Sequence, residues 1–115
     1  MPHLVLEHSP DLTHSHDLNA VSKALFKAAC ESPVFIANPD AVKVRTICCE
    51  NHQSATTPNT FAHLTVRLLS GREPEAKAQL AQSLLDIMDA HLPDVGSLSV
   101  EPVDMDRATY RKRTL

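Results

Sequence analysis

The sequence predicts an α+β fold, an α/β two-layer domain in which tandem β-α-β units form one four-stranded sheet with two helices on one face. Three observations predict it. Two stretches, Pro2 to His8 and Phe61 to Leu69, alternate apolar and polar residues with the period of a strand. Each is followed by a segment whose apolar residues recur at helical spacing. The whole is 115 residues long, which suits a single domain over residues 1–115 that buries roughly two-thirds of its unfolded surface.

The first strand sets Leu4 and Leu6 on one side and His3, Val5 and Glu7 on the other. Ser9, Pro10 and Asp11 break it. Asp17 offers an N-cap, and Leu18, Val21, Leu25 and Ala28 mark the buried stripe of the first helix. Ser32 and Pro33 end that helix, because the residue before a proline is pushed out of helical geometry. A second strand is expected from about Ala41 to Glu50, and the polar segment Asn51 to Thr60 reads as a loop joining two halves.

In the third strand Ala62, Leu64, Val66 and Leu68 face one way, and His63, Thr65 and Arg67 the other. Ser70 and Glu73 have capping-box spacing, and Pro74 suits a first helical turn. Leu80, Leu84, Ile87 and Met88 form the stripe of the second helix, which Pro93 terminates. A fourth strand, about Leu98 to Val103, closes the fold, with Pro102 implying an edge position or an early end. The halves, roughly 2–50 and 61–103, form a pseudo-repeat with right-handed crossovers. The sheet face away from the helices mixes apolar and polar groups and needs a partner surface, which favours a symmetric oligomer.

Composition narrows the function classes. A net charge of −3 gives no electrostatic attraction to nucleic acid. The basic run Arg111, Lys112, Arg113 reads as a solvated tail. No stretch approaches the length of a membrane span, and the N-terminus lacks the pattern of a signal peptide. Cys30, Cys48 and Cys49 are an odd number with two adjacent, a poor disulfide framework that points to the cytoplasm. Cys48 and Cys49 point to opposite faces of a strand and read as packing residues. His8, His14 and His16 complete no recognisable ligand spacing, so no metal is expected, and His63 reads as a hydrogen-bonding sheet residue.

The opening MPHLVLEHS, the block FAHLTVRLLSGREPEAKAQLAQSLLDIMDAHL from Phe61 to Leu92, and the ending LSVEPVDMDRATYRKR resemble the 5-carboxymethyl-2-hydroxymuconate isomerases, a branch of the tautomerase superfamily. The resemblance implies a homotrimer of β-α-β-β-α-β subunits that uses neither cofactor nor metal. It implies a 1,3-proton shift on an unsaturated dicarboxylate, 5-carboxymethyl-2-hydroxymuconate, in the bacterial breakdown of hydroxylated phenylacetates. Pro2 matches the family's catalytic proline, and Arg72 the arginine that follows the third strand. In the segment VKVRT, either Lys43 or Arg45 matches the second-strand cation that binds substrate.

The chemistry fits these residue types. Once Met1 is removed, Pro2 carries a secondary amine in place of an amide, and α-amino groups titrate at about 7.7–8.0. Partial burial and nearby cations disfavour the ammonium form, so the nitrogen can take a proton and return it. An arginine fork stays charged and pairs with carboxylates bidentately. Two other functions fit the same scaffold: a proline-dependent hydration or dehalogenation of an unsaturated acid, and a non-catalytic module that binds a small acid through the arginines and needs no free proline nitrogen.

Overall fold

The computed structural model describes residues 2–115. Met1, whose removal the proline chemistry requires, lies outside the described residues. The chain runs β1 (His3–His8), α1 (Leu12–Ser15), α2 (Leu18–Glu31), a 3-10 turn (Pro39–Ala41), β2 (Lys43–Cys48), β3 (Phe61–Leu69), α3 (Pro74–His91) and β4 (Ser97–Met105). The four strands form one mixed sheet in the order β2-β1-β3-β4. β1 pairs in parallel with β2 and antiparallel with β3, and β3 pairs in parallel with β4. The two β-α-β units are those expected from the sequence, and the structure joins them along an antiparallel seam between β1 and β3.

Period two decides which face is buried. Leu4 and Leu6 of β1 and Ala62, Leu64, Val66 and Leu68 of β3 have no exposed surface and face the helices. Val21, Leu25 and Ala29 of α2 and Leu80, Leu84 and Met88 of α3 cover them. Fully burying each such aliphatic side chain contributes about 1.5–3 kcal/mol, which is how a chain with three Phe and no Trp builds its core. Asp17 caps α2 as expected, its carboxylate accepting from the Ala20 N–H at 3.0 Å.

Four boundaries differ from the sequence reading, each for a local reason. The stretch after β1 includes one helical turn, α1, which sinks Leu12 into the core. β2 is shorter than expected because Pro39 starts a 3-10 turn that carries the chain to Val42. The capping box at Ser70 and Glu73 does not form. The Ser70 N–H instead bonds the Met105 carbonyl at 3.0 Å, and Glu73 is itself the N-cap, with Pro74 in the first turn. β4 runs through Pro102 to Met105, because on an edge strand a missing N–H leaves no neighbour unpaired.

The other sheet face carries His3, Val5, Glu7, Arg45, Ile47 and Thr65 around a shallow depression, with Tyr110 at its border. Ile47 is 45% exposed there. Beyond β4, the Asp106 carbonyl accepts from the Thr109 and Tyr110 N–H groups, and its carboxylate from the Ala108 N–H. This turn brings the Tyr110 hydroxyl within 3.1 Å of His3 Nε2.

Candidate active site

Pro2 stands immediately before β1, and its carbonyl accepts the Lys43 N–H at 3.1 Å, which fixes the first residue of the parallel pairing. Its ring is among the fully buried side chains. It borders a cleft of about 470 Å³ at one end of the sheet, together with Phe35, Lys43, Arg72, Arg107 and Lys112. Asp40 also lines this cleft and is its acidic member.

Arg72 reaches the cleft because β3 ends at Leu69 and the chain turns at Gly71, whose φ of +118° suits a residue without a Cβ. Its Nη1 donates to the Leu69 carbonyl at 3.0 Å and its Nη2 to the Val34 carbonyl at 3.3 Å. The guanidinium also lies over the Phe35 ring, 5.9 Å from its centre, a favourable cation–π placement. Two of its five N–H groups are thereby used to hold it, leaving the others for a ligand. A cleft with a buried proline ring and a rim of cations suits a small anion.

The two alternatives on β2 separate. Lys43 lines the cleft, its Nζ donating to the Ala41 carbonyl at 3.4 Å. Arg45 lies along the open sheet face, its Nη1 3.3 Å from His3 Nδ1, away from the cleft of its own chain. Burial and the Arg45 and Lys43 cations push the His3 imidazole below its ordinary value.

Several cleft residues escaped the sequence reading. Phe35 lies in the irregular connection after α2, and Arg107 and Lys112 lie past β4. Lys112 belongs to the run read as a solvated tail, and it is exposed while bordering the cleft. The available signal was the parallel pairing of β3 with β4. It puts Leu69 opposite Met105, so residues after β4 arrive beside Gly71 and Arg72.

His63 and His16 are engaged away from the cleft. His63 bonds Ser99 Oγ at 2.6 Å and Glu101 at 3.4 Å across the β3–β4 pair, as a sheet residue should. His16 bonds Asp94 at 2.7 Å and holds that carboxyl below its usual range. Among the described residues no three His, Cys, Asp or Glu side chains gather as a metal site, and no helix is long and apolar enough to cross a membrane.

Comparison with known proteins agrees with this architecture. The sequence matches the family model of 5-carboxymethyl-2-hydroxymuconate isomerase over residues 2–112. No curated protein matches the sequence. Among solved structures, a 5-carboxymethyl-2-hydroxymuconate isomerase from Deinococcus radiodurans R1 superposes with a TM-score of 0.79 at 22% identity, covering 99% of this chain and 90% of that one. A 5-carboxymethyl-2-hydroxymuconate delta-isomerase gives 0.79 at 18% identity, covering 99% and 88%. A fused 4-OT symmetric trimer gives 0.69 at 23% identity, covering 92% and 87%. With the fold shared and the family match spanning nearly its whole length, this chain belongs to the 5-carboxymethyl-2-hydroxymuconate isomerase family and is an isomerase on the tautomerase fold.

Proposed function

We propose that the protein catalyses a cofactor-free 1,3-proton shift, from enol to ketone, on an unsaturated 2-hydroxymuconate-type acid, the dicarboxylate 2-hydroxymuconate or its tricarboxylate relative 5-carboxymethyl-2-hydroxymuconate. The observation that carries this reading is that Pro2 and Arg72 border one cleft although seventy positions separate them in sequence. With Met1 removed, the Pro2 nitrogen is a secondary amine on a residue that shares its cleft with Lys43, Arg72 and Arg107. Burial and those cations lower its proton affinity, so that at neutral pH it accepts the enol proton. The same nitrogen then delivers the proton to carbon, and the enzyme returns to its starting state.

Arg72 pairs with the carboxylate beside the reacting enol and stabilises the charge that develops on the dienolate oxygen. Its two carbonyl contacts and the Phe35 ring hold it in place beforehand, so little reorganisation accompanies the reaction. Lys43 adds positive charge to the same cleft on this reading, and Arg45, which lies on the open sheet face, serves a neighbouring subunit's cleft. The open sheet face and the trimeric structural relative support a homotrimer. The three free thiols fit a reducing cytoplasm.

The test is an ultraviolet assay of protein confirmed by mass to begin at Pro2, with 5-carboxymethyl-2-hydroxymuconate and 2-hydroxymuconate as dienols. Ketonisation far above the buffer rate is expected. No acceleration with either substrate would remove this reading.

A further inference from the structure

Arg107 is held over the cleft by two bonds to one acceptor. Its Nε and Nη2 both donate to the Ser70 carbonyl, at 3.1 and 2.9 Å. The Ser70 N–H donates to the Met105 carbonyl at 3.0 Å, so the end of the β3–β4 pairing holds Ser70 in place. The Asp106 turn fixes the backbone that carries Arg107. The guanidinium packs beside the Gly71 turn, where a Cβ would lie 3.8 Å from Arg107 Nη2, an ordinary contact distance. Arg72 meanwhile bonds the Leu69 carbonyl, the acceptor one residue earlier. Two guanidinium groups are thus anchored on consecutive carbonyls at the end of β3, and both line the cleft that Pro2 borders.

We infer that Arg107 binds the second carboxylate of a dicarboxylate whose first carboxylate is held by Arg72, and so selects diacids over monoacids. The choice of ligand rests on the isomerase reading. Five N–H donors less the two used on Ser70 leave the outer edge of Arg107 able to pair with a carboxylate. The other cations of the cleft are less prepared for this. Lys43 Nζ is turned to the Ala41 carbonyl, and Lys112 rides on the exposed chain end. Asp40, which lines the same cleft, repels a carboxylate and so sharpens the dependence on a well-placed fork.

The test compares binding of trans,trans-muconate with that of sorbate, the six-carbon dienes with two carboxylates and one, by calorimetry at fixed ionic strength. Wild-type protein should prefer muconate by roughly tenfold or more, the effect of one charge-assisted pair. Arg107→Ala and Arg107→Gln should each reduce that preference roughly 10- to 100-fold. The glutamine variant keeps a donor for Ser70 and decides the matter should the alanine variant fail to fold. Lys112→Gln removes the same charge and should reduce the preference less.

Absence of a muconate preference in the wild type would overturn the assignment. So would equal weakening of both ligands by Arg107→Gln, which is what a merely structural role gives. An equal effect of Lys112→Gln would overturn it in favour of a diffuse positive field. Binding needs no turnover: protein that selects muconate through Arg107 and ketonises no dienol would sink the isomerase reading and leave this one standing.

Discussion

Arg72 combines a charge with a fork, and its surroundings are built for both. It bonds two carbonyls, lies over Phe35 and still has N–H groups for a carboxylate. Arg72→Lys keeps the charge and loses the paired geometry. Steady-state kinetics on the dienol should show kcat/KM reduced roughly 10- to 100-fold, the loss of one charge-assisted bond with a side chain that cannot span its anchors. His3 gives a second expectation at this scale. Its native imidazole titrates below 6.5 because of burial and of Arg45 and Lys43, so the unfolded chain takes up the proton first as pH falls. Folding stability should therefore be full above 6.5 and decline as pH drops beneath it. Urea midpoints at pH 7.5 and 5.5, at one protein concentration, should differ less in His3→Gln than in the wild type.

The elements that announce themselves in the sequence are those with one wet face and one dry one. β1, β3, α2 and α3 show it in their burial, and their positions follow from period 2 or 3.6. α1 shows no period, since one turn with one buried leucine has none to show. Lys43 and Arg45 were inseparable for a related reason: residues two apart on a strand share a face. Only the position of the sheet end tells them apart. Arg107 was hidden because the fourth strand was expected to end at about Val103, which left its approach to Ser70 unforeseen. The loop between the halves also depends on a contact that no local pattern reveals. Gly96 donates its N–H to Thr60 Oγ1 and packs directly under the Pro58 carbonyl, with Thr56 Oγ1 2.9 Å from where a Cβ would sit. Gly96→Ala drives that Cβ into backbone, and urea unfolding should register a loss of about 1–3 kcal/mol.

At the scale of the molecule, the sheet has helices on one face and, among the described residues, none on the other. The open face carries Val5, Ile47 and Thr65 beside Arg45 and Arg67, a mixed surface fit for a copy of itself. Sedimentation velocity should report three times the chain mass, and Ile47→Asp should shift the population to smaller species; a wild-type monomer at micromolar concentration would refute the proposed trimer. Assembly and chemistry meet at the start of the chain, where Pro2 opens β1 and borders the cleft. The most direct measurement is the rate of dienol ketonisation by two preparations assayed together, one beginning at Pro2 and one retaining Met1, each verified by intact mass. The expected result is turnover with the first and only the buffer rate with the second, whose Pro2 nitrogen is an amide without basicity. Equal rates from both would contradict a proline base and return the chemistry to other residues of the cleft.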